Sequence, residues 1–221
     1  MGRLYSALIV LSLIWGTSFL FIKILLESLD PTAVVFGRCL FGFLILLVIF
    51  LFRKEKFDLK NRPWVKLFFV ALMNNAIPWL LISSSETKIS SSLASIINAA
   101  TPIWTLVIGF LIFSSALRKN QWIGIIVGFL GIFILSEIKP GDLLTDHVSG
   151  ILLMSGATFC YGLGGHLTKK YLSDLTVLEI SFFTMGLSTV IGLIIMLVQA
   201  PESVSAFVHL SLIGPFMGVG A

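Results

Sequence analysis

The sequence predicts an all-α integral membrane protein, organised as an inverted repeat of five-helix bundles. Three observations carry that expectation. Of 221 residues, 57% are hydrophobic and 12% charged, against about 25% charged in an average soluble domain. Apolar runs that reach the roughly 17–25 residues needed to cross a bilayer recur along the whole chain. Residues 15–38 also align with 161–184, pairing Trp15 with Tyr161, Gly16 with Gly162, Lys23 with Lys169 and Phe36 with Phe182.

Spans are expected at 4–26, 32–52, 64–84, 89–113, 120–137, 148–169 and 177–199, with an eighth starting near 206. The first exceeds the 7–15 residues of a signal-peptide core and lacks a small-residue cleavage site, so it reads as an uncleaved helix. Ser12, Gly16 and Lys23 share one of its faces, as Thr158, Gly162 and Lys169 do in the sixth span. Gly16 and Gly162 are candidates for close helix packing. Trp15 and Tyr161 either stack on a solute or pack.

The second span carries Arg38, the one cation well inside a predicted span. Intramembrane ionisable residues are functional candidates, although a long side chain can also snorkel to the surface. The third holds "MNNAIPWL". Asn74 and Asn75 offer donors and an acceptor without charge, for a polar solute or for interhelical bonds. Trp79 is a cavity wall or an interfacial anchor.

The fourth span, "SSSLASIINAATPIWTL", keeps interrupting its apolar run. At about 100° per residue, Ser91, Ser95, Asn98, Pro102 and Thr105 fall along one side, with Thr101 beside them. This stripe is expected to line a solute cavity, the alternative being hydroxyl-mediated helix contact. Pro102 should free the carbonyl of Asn98. The fifth span holds "GIIVGFLG", whose Gly124, Gly128 and Gly131 predict a tight packing surface. In the sixth, His166 is a candidate for charge sensing near neutral pH, or a structural histidine. Lys23, Lys169 and Glu179 lie near span ends and read as solvated anchors.

With the N-terminus inside, eleven Lys and Arg fall on inner segments and three on outer ends. That positive-inside bias predicts a cytoplasmic N-terminus. The basic residues cluster in short loops, a topology signal that excludes a nucleic-acid surface. Five helices precede the second copy, so it enters the membrane from the opposite side. Residues 1–137 form the first repeat and 148–221 the second, which stops within its third helix. The complete architecture would have ten helices, about seven and a half of them in these 221 residues.

The segments "IWGTSFLFIK", "AVVFGRCLFGFLILL" and "SSSLASIINAATPIWTLVIGFL" resemble the EamA-type permeases of the drug/metabolite transporter superfamily. The resemblance implies ten helices in two inverted five-helix repeats. It also implies export, and in some members import, of small polar metabolites such as amino acids across the bacterial inner membrane. Inverted repeats place the solute site near the midplane and work by alternating access.

The carboxylates lie in loops or near span ends and the three histidines are scattered, with no metalloprotease or P-loop motif. An enzyme, a metal site and a cofactor are therefore not expected. The expected partners are a small-molecule metabolite and the lipid bilayer, with a proton or another ion as coupling candidate. The oligomeric state is not assigned. A non-transporting receptor or assembly subunit is the alternative function. Without a mid-membrane carboxylate, neutral, zwitterionic or anionic solutes are expected over cationic ones. Cys39 and Cys160 lie in apolar runs and are expected as unpaired thiols.

Overall fold

The computed structural model describes residues 2–53, 60–136, 145–208 and 213–220, and the described elements are all helical. Helix α1 runs Gly2–Leu26 and α2 Pro31–Arg53. The third span joins α3 (Trp64–Ala71), a π-helical turn (Leu72–Ala76) and α4 (Ile77–Glu86). The fourth consists of α5 (Ser91–Asn98) and α6 (Thr101–Leu111). Then come α7 (Lys119–Leu135), α8 (Asp146–Tyr171), α9 (Val177–Gln199), a 3-10 segment Pro201–Val208 and α10 (Ile213–Gly220). Six helical stretches are long and apolar enough to cross a membrane, and α7 is a shorter apolar helix. Position 137, expected to end the fifth span, lies outside the described residues.

Two spans depart from the continuous helices expected, and proline explains both. Pro78 has no N–H to give the carbonyl of Asn74, and its ring presses on that carbonyl. The turn just before it widens into the π form, as helices do where the i to i−4 ladder is interrupted. Pro102 likewise stands in the first turn of α6, and the chain breaks at Ala99–Ala100 instead of continuing. Ser90 caps α5 by accepting from the Leu93 N–H, and Thr176 with Glu179 forms a capping box on α9.

Contacts at the helix ends fix their directions. At the end of α1, Lys23 Nζ donates to the carbonyl of Glu86 at the end of α4. Lys88, just beyond, pairs with Asp146 at the start of α8. Hence α8 begins on the side where α1 ends, and the two run in opposite directions. On the other side Arg62, ahead of α3, pairs with Glu179 at the start of α9, and Lys66 sits 5.5 Å over the Tyr171 ring at the end of α8. We call the side where α1 begins the near face and the other the far face.

Helix α9 packs along α2, and its bounds, Val177 and Gln199, stand 146 residues beyond Pro31 and Arg53. The third span packs on α8 and α9, while α10 packs on α1 and α2. Polar ties lock the third span in place. Ser85 Oγ donates to the Gly150 carbonyl at 2.7 Å, Asn74 Nδ2 to Thr168 Oγ1 at 3.1 Å, and Ser188 Oγ to the Ala71 carbonyl at 3.3 Å. In hydrocarbon such ties and close packing hold helices together, because apolar burial drives little there.

The main core joins Ile22, Leu25, Val34, Ile82, Ile97 and Met154, all at most 2% exposed. A second cluster nearer the near face joins Leu67, Val70, Leu172 and Phe183. Outward-facing Phe52, Val65, Leu111, Ile134 and Val198 give the molecule an apolar exterior, the surface a hydrocarbon solvent requires. Cys39 and Cys160 are both free and buried.

Candidate functional site: a polar cavity between the helices

A cavity of about 410 Å³ borders the main core. Leu11, Ile14, Trp15, Ser18, Phe19 and Ile22 of α1 form one wall. Arg38 of α2, Asn74 and Asn75 of the π turn, and Trp79 and Ile82 of α4 form a second. Asn98 ends α5 and closes a third side, and Tyr161 of α8, Met185 of α9 and Gly218 of α10 complete the lining. The volume is that of a small-metabolite site.

Of the residues singled out from the sequence, the fold brings Trp15, Arg38, Asn74, Asn75, Trp79, Asn98 and Tyr161 to this one space. The Arg38 guanidinium lies over the Trp79 ring, 4.1 Å from its centroid. That cation–π contact holds the charge inward, where snorkelling would turn it out. Trp79 is only 8% exposed and is a cavity wall, not an interfacial anchor. Trp15 and Tyr161 face each other with centroids 6.4 Å apart. Asn74 also serves as an interhelical tie through Thr168, leaving Asn75 as the carboxamide of the pair without that duty.

Three lining residues carry a buried polar atom with no hydrogen-bond partner: Ser18 Oγ, Arg38 Nε and Asn98 Oδ1. Buried polar atoms are almost always satisfied. One donor, one acceptor and one hydroxyl left open on a single cavity form a set that a polar solute or water would complete.

Other expectations need correction. The fourth-span stripe does not run along the cavity, because the break at Pro102 splits it and its hydroxyls turn to nearby partners. Ser91 Oγ donates to Glu86 Oε2 at 2.8 Å, Ser95 Oγ to the Ser92 carbonyl, and Thr105 Oγ1 to the Thr101 carbonyl. Thr101 Oγ1 takes up the Asn98 carbonyl that Pro102 releases, at 2.8 Å. Only Asn98 of the stripe reaches the cavity lining.

His166 stands apart from the cavity. Its Nε2 pairs with the Thr105 carbonyl at 2.9 Å, and its ring stacks on Phe113, so it joins α8 to α6. Among the packing glycines, Gly162 lets α8 approach the α6 backbone, and Gly128 meets Ile103. Gly16, Gly124 and Gly131 have open space beside them among the described residues, because their sides of α1 and α7 meet no described helix there. Lys23 and Glu179 are not solvated anchors. Lys23 bonds the Glu86 and Ile89 carbonyls, and Glu179 pairs with Arg62.

Two buried polar residues at or beside the cavity escaped sequence reasoning. Ser18 lies one turn from Trp15 on the same face of α1, a spacing that could have found it. Glu86 falls two residues past the expected end of its span, yet it is fully buried. Polarity alone had placed it in a loop.

Comparison with known proteins agrees with this architecture. A solved crystal structure of 14% sequence identity superposes with a TM-score of 0.56, covering 95% of this chain and 78% of its own. The chain is 30% identical over 155 residues to the uncharacterized inner membrane transporter YedA of Escherichia coli K12, covering 70% of this chain and 49% of that protein. It is 24% identical over 210 residues to an uncharacterized transporter in the trpA 3' region of Buchnera aphidicola subsp. Schlechtendalia chinensis, covering 94% and 68%. A Bacillus subtilis transporter, YdfC, matches at 23% over 207 residues, covering 93% and 66%. The chain thus spans about half the length of YedA and two thirds of the other two. Residues 3–137 match the EamA-like transporter family, a family of transporters rather than of enzymes. This multi-pass membrane chain belongs to the EamA-like transporter family.

Proposed function

We propose that the protein is a secondary transporter that exports a small carboxylate-bearing metabolite, zwitterionic or anionic, of the size of an amino acid. The observation that carries this reading is the set of open polar atoms on Ser18, Arg38 and Asn98 around one cavity. Arg38 offers a carboxylate a charged donor. Asn98 Oδ1 accepts from an ammonium or amide, and the Trp15 and Tyr161 rings take the apolar part.

Alternating access follows from two oppositely directed halves, 1–137 and 148–221. The antiparallel course of α1 and α8 supports that division, as does the matching extent of α2 and α9. The near face is cytoplasmic in this reading.

The test is a metabolite-resistance screen in cells making the full-length protein, followed by solute binding to the purified protein. Arg38→Ala and Asn98→Ala should abolish resistance and binding, and Asn75→Ala should weaken both. Normal transport by the Arg38 and Asn98 variants would refute the assignment.

A further inference from the structure

Beyond the solute cavity lies a carboxylate that the reading above does not use. Glu86 is 0% exposed and sits one turn past Ile82, which lines the cavity. Its Oε2 accepts from Ser91 Oγ at 2.8 Å, while its Oε1 is buried without a partner. Beyond that one hydroxyl, an ionised carboxylate with a bare oxygen in such a place depends on nearby cations.

Two cations approach it. Lys23, next to cavity-lining Ile22, spends its ammonium on the carbonyls of Glu86 and Ile89, which end the third span. Arg38 lies over Trp79, which shares one face of α4 with Ile82 and Glu86 and stands about two turns, roughly 10 Å, before Glu86. Of the other titratable groups at this end, Glu27 lies exposed beyond α1 and Asp30 accepts from Thr32. Lys88 pairs with Asp146, and His147 bonds the Ser136 carbonyl.

We infer that Glu86 is a proton-binding site coupled to occupancy of the cavity, such that solute and proton bind together and leave together, with export driven by the outward gradient of the solute itself. The coupling rests on the proposal that the solute presents a carboxylate to Arg38. Two carboxylates that share the field of one guanidinium repel each other. A solute that engages Arg38 therefore raises the proton affinity of Glu86. A hydronium ion of the bulk solution gives up the proton, its O–H bond breaking to leave water as an O–H bond forms at Oε1, and the charge of the buried site stays balanced. Linkage makes the effect reciprocal, so protonated Glu86 leaves Arg38 free and tightens solute binding.

The experiment has two arms on the purified full-length protein in detergent. Infrared difference spectra across a pH titration, without solute, should show a protonated carboxyl band that is lost in Glu86→Gln and kept, shifted, in Glu86→Asp. In the second arm, L-phenylalanine is the probe, with affinity measured against pH and proton uptake measured in weak buffer. Wild type should bind more tightly as pH falls through the range of the band, taking up as much as about one proton per phenylalanine. Glu86→Gln should bind with pH-independent affinity. Absence of a Glu86-dependent band, or persistence of the pH dependence in Glu86→Gln, overturns the inference. A Glu86 band without phenylalanine binding by wild type supports the proton site and counts against the proposed solute instead.

Discussion

Trp15 and Tyr161 stand 146 residues apart in sequence and bring their ring centroids to 6.4 Å, tilted by 50°. They occupy matching places on helices that run in opposite directions. Matching positions on antiparallel helices come level only near the middle of their common length, so this pair marks the mid-depth of the molecule. Both residues line the cavity.

The aromatic pair yields the first prediction. Tyr161→Ala removes a ring whose contacts with another aromatic group are worth about 0.5–1.5 kcal/mol beyond area burial. Solute affinity, read by isothermal titration, should fall by up to about tenfold. Tyr161→Phe keeps the ring and should retain most of that affinity. Equal loss in both variants would show that the hydroxyl, not the ring, matters.

Arg38 should not tolerate lysine. Its planar guanidinium lies on Trp79 at 4.1 Å, and a compact ammonium reproduces neither the stacking nor the forked donors. A hydrogen bond to a charged group is worth about 1.5–3 kcal/mol. Arg38→Lys should therefore weaken a carboxylate solute by about 10–100-fold, with little change for an uncharged analogue. A binding series of acid and amide forms of one compound checks the difference.

Thermal unfolding should separate the glycines into two groups. A Cβ at Gly162 would stand 3.0 Å from the Thr105 nitrogen and 3.1 Å from the Trp104 carbonyl carbon, backbone atoms that cannot rotate away. Gly164→Ala would collide with the Asn74 amide and break its bond to Thr168. Each should destabilise by about 1–3 kcal/mol. Gly16→Ala and Gly131→Ala, with open space beside them, should be neutral or slightly stabilising through helix propensity.

The direction of α9 can be checked by chemistry at the near face. Arg62→Cys combined with Glu179→Cys should cross-link through a flexible bis-maleimide, since the native pair is in contact. Cys39 and Cys160 are buried and should contribute little background. An impermeant thiol reagent should reach both introduced cysteines from the cytoplasmic side of intact vesicles. Labelling from opposite sides would refute the arrangement.

The span pattern was legible because lipid imposes it: long apolar runs bounded by charge admit few other structures. Arg38, Asn75 and Asn98 were legible for the same reason, as polar groups too costly to leave facing hydrocarbon. Ser91, Ser95 and Thr101 misled because a hydroxyl can satisfy itself on a carbonyl three or four residues back, as Ser95 and Thr101 do. Short polar side chains thus report less about a cavity than amides or charges do. Glu86 was hidden by its position at a helix end. Its burial depends on α1 and α5 folding over it, a tertiary event that hydropathy along one segment does not encode.

The mutual docking of the third helices has a mechanical consequence. The third span leans on α8 and α9, and α10 leans on α1 and α2, so each half lends a member to the other like clasped hands. Such halves cannot swing apart as the two shells of a clam. On the proposed alternating access, motion would be left to tilting about the α2–α9 seam, with that seam as an axle. Severed between α7 and α8, neither half would keep its grip alone, and function would return only when both pieces were made together.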